Sequence, residues 1–349
     1  VIKLRLIAMA IALASVSGCK SGGGTTTAHK TKPPPPPAVA AKIKTFKLGG
    51  DLWAVLATKN VVWALDHDNA RVLRVAPSGR RIGRPVRLAR DLGTSATALS
   101  FAGGDVWLGY TRNYGFVARL DPATGAHGTP VRVGPSVQKL AVTGGSAYVS
   151  YLPTGIARVP LAGGRPRTVE RRRTANALLF VRGELWATVW NGLSGTHGSI
   201  LELNGRTLAN ENDFDATDSS ELTTSADEAQ PFGMAAGAGS IWVAVVADVG
   251  ELVRIDLKKR NETARVHLGT SYPFAVAFLK GSVWVLDYYA NTLTRVDPRT
   301  NRVTGRLRVG PPRNPDNIPA RVPAGLSAYG SDLWVTDEDS GTLTRVTVP

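Results

Sequence analysis

Ser282-Val-Trp-Val-Leu-Asp-Tyr-Tyr-Ala-Asn-Thr-Leu-Thr-Arg-Val-Asp-Pro-Arg-Thr300 decides how this chain folds. Two runs of alternating apolar and polar residues are separated by Tyr-Ala-Asn and closed by Pro-Arg-Thr, the pattern of a β-hairpin half-buried on each face. Extending outward gives an inner strand at Ala275–Leu279, a second at Val283–Tyr288, a third at Thr292–Asp297 and an outer one at Arg302–Val309. Lys280-Gly281-Ser282, Tyr289-Ala290-Asn291 and Pro298-Arg299-Thr300-Asn301 carry the Gly, Pro or Asn that tight reversals need.

The unit recurs. Its signature aromatic stands at Trp63, Trp107, Tyr148, Trp186, Trp242, Trp284 and Trp334, with spacings of 44, 41, 38, 56, 42 and 50 residues. A period in the forties with four short strands per unit predicts an all-β, seven-bladed propeller rather than a helical solenoid. The signature aromatic reads most simply as packing between blades. The last unit stops after its third strand, Thr342 to Val348. Residues 43–48, Ile-Lys-Thr-Phe-Lys-Leu, supply a strand of the missing kind, so the first segment is expected to complete the last blade and close the ring.

The 349-residue chain divides into three parts. Residues 1–18 resemble a lipoprotein signal peptide: Lys3 and Arg5, an apolar stretch from Leu6 to Val16, then Val16-Ser17-Gly18 before Cys19. The resemblance implies cleavage before Cys19 and a lipid on its sulfur; an ordinary secretory signal with an incidental cysteine is the alternative. Residues 19–41, with three glycines in a row, three threonines in a row and Pro33 to Pro37, read as a tether. Residues 42–349 form the propeller. Cys19 is the sole cysteine, which excludes a disulfide framework and thiolate catalysis from the folded domain. The formal charge of +15 favours anionic neighbours such as phospholipid headgroups or wall polymers. The basic residues are scattered over all blades, so no nucleic acid is expected. The address expected is the outer face of the cytoplasmic membrane, or the periplasm or outer membrane if the envelope has two.

Loops joining second to third strands, and those between blades, gather on one face around the central channel. Asp66, Asp287 and Asp337 lie there, each three residues after a signature Trp. They could hold a calcium or magnesium ion, or each could cap its own turn through an Asx hydrogen bond. The segment Glu211 to Glu228 holds seven acids and no base and reads as an acidic loop. Trp190, Tyr114 and Tyr289 are expected to be exposed on this face. Tyr288, Asn291 and His67 join them as candidates for recognising a peptide or sugar by stacking and hydrogen bonding. Trp53, Phe232 and Phe274 are placed near the channel mouth as well, but they open inner strands, where packing accounts for them.

The consensus of residues 282–300 resembles the YVTN, NHL and virginiamycin B lyase-like propeller superfamily. Streptogramin lyases of that group carry Trp-Phe-Thr-Glu and use His and Glu with magnesium. Here the comparable positions read Trp-Val-Leu-Asp and Trp-Val-Thr-Asp with no His beside them, so lyase residues do not transfer. Two functions are left. The first is a monomeric, lipid-anchored, non-catalytic binding or scaffolding module without a cofactor, which meets an envelope protein, peptide or glycan through its loop face. The second is a metal-dependent lyase or hydrolase using Asp66, Asp287, Asp337 and His67.

Overall fold

Seven four-stranded antiparallel sheets follow one another along the chain. The computed structural model describes residues 36–87, 95–151, 155–162, 165–170, 174–190, 198–215, 229–247, 249–270, 272–310, 325–337 and 340–349. The signal segment, Cys19 and the Gly- and Pro-rich stretch to 35 lie outside them. No helix occurs among the described residues, and none is long and apolar enough to cross a membrane.

Counting strands from the first in the chain, the innermost strands of blades one to seven are β2 (Leu52–Ala57), β6 (Ser95–Ala102), β10 (Lys139–Thr143), β14 (Thr174–Val181), β18 (Gln230–Gly237), β22 (Pro273–Leu279) and β26 (Gly325–Tyr329). Each touches the inner strand of the next blade, and β26 returns to β2, so the sheets form a ring around a channel. Ring closure is as expected: β1 (Lys42–Lys47) pairs antiparallel with β28 (Thr342–Thr347), from Lys42 opposite Thr347 to Lys47 opposite Thr342. That pairing covers the edge of β28, which would otherwise offer a free ladder of N–H and C=O groups.

The signature aromatics lie between blades. Trp334 packs with Leu52, Val55 and Ala64 of blade one, Trp63 with Leu108 and Ala118 of blade two, and Trp242 with Val283 and Val285 of blade six. Trp63, Trp186 and Trp242 are wholly enclosed. Burying some 200 Å² of indole gives each about 5 kcal/mol of gross transfer energy, which makes the inter-blade faces the core of the molecule. The tight hairpins between first and second strands pair a left-handed residue with glycine, as in Arg182-Gly183, Ala238-Gly239 and Lys280-Gly281, the geometry that matches strand twist.

Two segments differ from expectation. Within the stretch assigned to the tether, Ala38 makes a parallel bridge to Arg306 on β25 (Arg302–Arg308), the outer strand of blade six. The Val39 amide donates to the Arg306 carbonyl at 3.1 Å and the Arg306 amide to the Pro37 carbonyl at 3.0 Å. Val39 is buried in the core of blades six and seven. It fits because residue 305 is glycine: a Cβ there would lie 2.5 Å from a Val39 methyl. Among the described residues, packing is therefore present from Pro37, inside the stretch read as a tether.

The acidic segment is the second correction. Its first part is no loop: Asn210–Asp215 forms β17, the outer strand of blade four, with Phe214 stacked on Trp186 at 5.9 Å. One apolar side chain anchors the strand while Glu211 and Asp213 are exposed, with Arg260 Nη1 2.8 Å from Glu211 Oε2. Residues 216–228 lie outside the described residues.

Candidate functional site: the channel mouth

Five inner strands carry a β-bulge one step before a small residue. The register slips at Trp53, Thr97, Asn176, Phe232 and Phe274. A bulge re-aims the extra side chain, and all five line a cavity of about 400 Å³ at the channel, with residues from all seven inner strands in its wall. Thr97 and Asn176 also tie neighbouring blades together. The Thr97 hydroxyl donates to the Val137 carbonyl at 2.7 Å and the Asn176 amide to the Pro231 carbonyl at 2.9 Å.

Above this ring, the Asp three residues after Trp63, Trp284 and Trp334 works as a clamp. Asp66 is fully buried; it accepts from the Asp51 amide at 3.2 Å, from Asn69 Nδ2 at 2.9 Å and from Arg71 Nε at 2.6 Å. Asp287, also buried, accepts from the Tyr272 amide at 2.9 Å and the Ala290 amide at 2.7 Å. In both blades the incoming inter-blade loop is fixed to the turn after the second strand. The backbone echoes it: the His67 amide donates to the Asp51 carbonyl and the Tyr288 amide to the Tyr272 carbonyl, both at 2.9 Å. Asp337 accepts from the Ser340 amide at 3.0 Å and lies 3.5 Å from Asn291 Nδ2. These three Asp therefore serve three separate turns, and the structure does not gather their carboxylates at one point.

What the clamps display differs from blade to blade. In blade six, Tyr272, Tyr288 and Tyr289 stand together, with centroids 4.6 to 5.5 Å apart. Tyr272 also meets Phe232 at 5.5 Å, and Phe232 meets Phe274 at 5.3 Å. A continuous run of five rings thus leads from the loop face into the mouth. Burial, helped by the neighbouring Tyr289 and Tyr288, pushes the Tyr272 phenol up to about 12; burial and then Asp287 raise Tyr289. In blade one, Trp53 stacks on His67 at 4.0 Å. His67 Nδ1 is 3.8 Å from Asp51 Oδ2 and 3.4 Å from Asp68 Oδ1. Asp51, His67 and Asp68 each offer a ligand atom within 4.8 Å of the others, a group able to take a divalent cation.

Of the expected contact residues, Tyr114 is exposed, with the Arg132 guanidinium 3.5 Å from its ring centre. Tyr289 is half-buried, while Tyr288 and Asn291 are buried. Asn291, expected to bind a ligand, instead closes its own turn with a left-handed φ of 50° and reaches toward Asp337 of the next blade. Trp190 ends β15 (Glu184–Trp190), and its side chain lies outside what is described.

Sequence reasoning set Trp53, Phe232 and Phe274 near the channel mouth but accounted for them by packing; their bulges place them in the cavity wall. It also missed Asp51 and Lys139. Asp51 depends on Gly49-Gly50 before it, since a Cβ on Gly50 would lie 2.2 Å from Asp66 Oδ2. Lys139 was visible in register. Opposite the second residue after the signature aromatic, the inner strands carry Ala54, Ala98, Lys139, Ala177, Ala275 and Gly325. Gly233 takes the same place beside the β18 bulge.

No protein-family model matches the chain, and no curated protein matches it by sequence. Among solved structures, it is similar to a catalytically inactive virginiamycin B lyase from Staphylococcus aureus, crystallised with quinupristin. That likeness has 17% identity and a TM-score of 0.68, covering 89% of this chain and all of the lyase. A streptogramin B lyase aligns at 16% identity and TM-score 0.67, covering 88% of this chain and 98% of its own. The WD40 propeller domain of Doa1 aligns at 10% and 0.64, covering 88% and 97%. At such identities the likeness carries the fold alone, a β-propeller.

Proposed function

We propose that this chain is a lipid-anchored, extracytoplasmic binding propeller that presents its loop face and channel mouth to an envelope protein, peptide or glycan. The observation that carries this reading is the run of rings from Tyr288 and Tyr289 through Tyr272 to Phe232 and Phe274, which opens a mouth of ligand-sized volume. Tyr114 adds a second aromatic contact on blade two. The Asp clamps support it too, because their carboxylates are engaged in holding loops. Anchoring through Cys19 keeps the module at the membrane, and its basic charge suits that surface.

The test is affinity capture from native membranes with the wild-type chain and with a Trp190→Ala, Tyr114→Ala, Tyr289→Ala triple variant. A partner held by the wild type and lost by the variant supports the reading; a variant that keeps every partner refutes the choice of face. Cys19→Ser should release the chain from the membrane fraction, and retention there would remove the lipid anchor.

A second reading, a metal-dependent lyase or hydrolase, draws on the Asp51, His67 and Asp68 group and on the lyase-like fold. Calcium or magnesium would bind through the two carboxylates. Thermal stabilisation by either ion, reversed by chelator and lost in Asp51→Asn, would favour it over the first.

A further inference from the structure

The small-residue layer of the channel has one exception. Where six blades present Ala or Gly, blade three presents Lys139, directly below the ring formed by Trp53, Thr97, Asn176, Phe232 and Phe274. The absent side chains of the other six blades leave the room that its long stem needs. Among the described residues lining the cavity there is no Asp or Glu, and Lys139 is the sole charge. Burial holds its ammonium below the usual lysine range, and no carboxylate raises it back. Lys139 is only partly buried and its ammonium faces the open cavity, so its desolvation is partial and an anion entering the channel can meet it.

We propose that Lys139 anchors a small-molecule site in the channel, and that its ligand is a monocarboxylate on a flat apolar body. The carboxylate meets the ammonium, and the body lies among Trp53, Phe232 and Phe274. One charge calls for one charge: a phosphate dianion would leave half its charge uncompensated, and the described lining holds no arginine fork to meet it. The cavity, about 400 Å³, is of small-ligand size. This site shares Phe232 and Phe274 with the mouth assigned above to a macromolecular partner, but its anchor, Lys139, lies outside that run of rings.

Calorimetric titration of the purified chain tests it, with phenylacetate, indoleacetate and cyclohexanecarboxylate each compared with its neutral amide. At least one acid should bind, about tenfold or more tighter than its amide, and Lys139→Ala should abolish that preference. Alanine is what neighbouring blades carry at this level, so the variant keeps the fold; Lys139→Gln serves as a second check. Phenylacetate should also protect Lys139 from reductive methylation. Equal binding of acid and amide, unchanged binding in both variants, or no binding of any acid overturns the proposal. A Tyr114→Ala, Tyr289→Ala variant separates the two sites: it should lose captured partners and keep the acid.

Discussion

Asp287 Oδ2 accepts the backbone amide of Tyr272 at 2.9 Å, and Asp66 Oδ1 accepts that of Asp51 at 3.2 Å, the same bond in two blades. The Asp that ends the second strand thus orders the loop that delivers the channel residues. Asp66→Ala removes the partner of Arg71 and orphans three further donors, the Asp51 amide, the Asn69 amide and Asn69 Nδ2. It should cost about 3 kcal/mol, at the lower end for a broken buried pair because Arg71 is partly exposed. Denaturant unfolding checks this, and a change below about 0.5 kcal/mol would contradict the clamp.

Lys139 gives stability a dependence on pH with a definite sign. Its folded pKa is depressed, so the unfolded chain binds more protons and stability rises with pH. The penalty is full below the folded pKa and gone above the unfolded value of about 10.4. Lys139→Ala should therefore stabilise the chain at neutral pH, by an amount that shrinks as pH rises toward about 10. Denaturation midpoints of both proteins across that window measure it; a difference independent of pH would count against it.

Tyr272 acts in the opposite direction. With its phenol pushed up to about 12 and an unfolded value near 10, the folded state holds the proton longer and stability falls as pH rises between the two. Tyr272→Phe should keep the ring cluster and flatten this slope. Ultraviolet titration should find one phenol ionising last in the wild type and missing from the variant.

At the rim, Phe46 of β1 stacks on Trp334 at 6.3 Å while half-buried, and Val39 lies in the core. Phe46→Ala should cost about 2 kcal/mol, below the 3–5 of a fully buried phenylalanine, and Val39→Ala about 1. Limited proteolysis should spare Ala38 to Ala41; cleavage there in the folded protein would contradict the packing of that stretch.

Much of this fold was legible because it is repetitive. Seven aromatics at similar spacing, with Gly turns beside them, fix strand type, blade number and the place of the missing strand. The site was less legible, for a physical reason: it is made by departures from the repeat. A bulge shifts Trp53, Phe232 and Phe274 by one register, which an alternation pattern read without coordinates assigns to packing. Asn291 misled in the converse way, since a polar residue in a turn beside two tyrosines suggests recognition, whereas its left-handed backbone and the nearby Asp337 give it a structural task. Lys139 differs from its counterparts by a single residue type, and only the strand registers bring those counterparts into line.

Every placement at the channel mouth requires that the first strand close the ring. Thr45 and Thr344 are register partners, with their hydroxyls 3.0 Å apart. In a Cys19→Ser background, Thr45→Cys with Thr344→Cys should oxidise to an intramolecular disulfide in nearly every folded monomer, seen as faster electrophoretic migration that reductant reverses. Free thiols after oxidation, or dimers linked between chains, would contradict the closed ring.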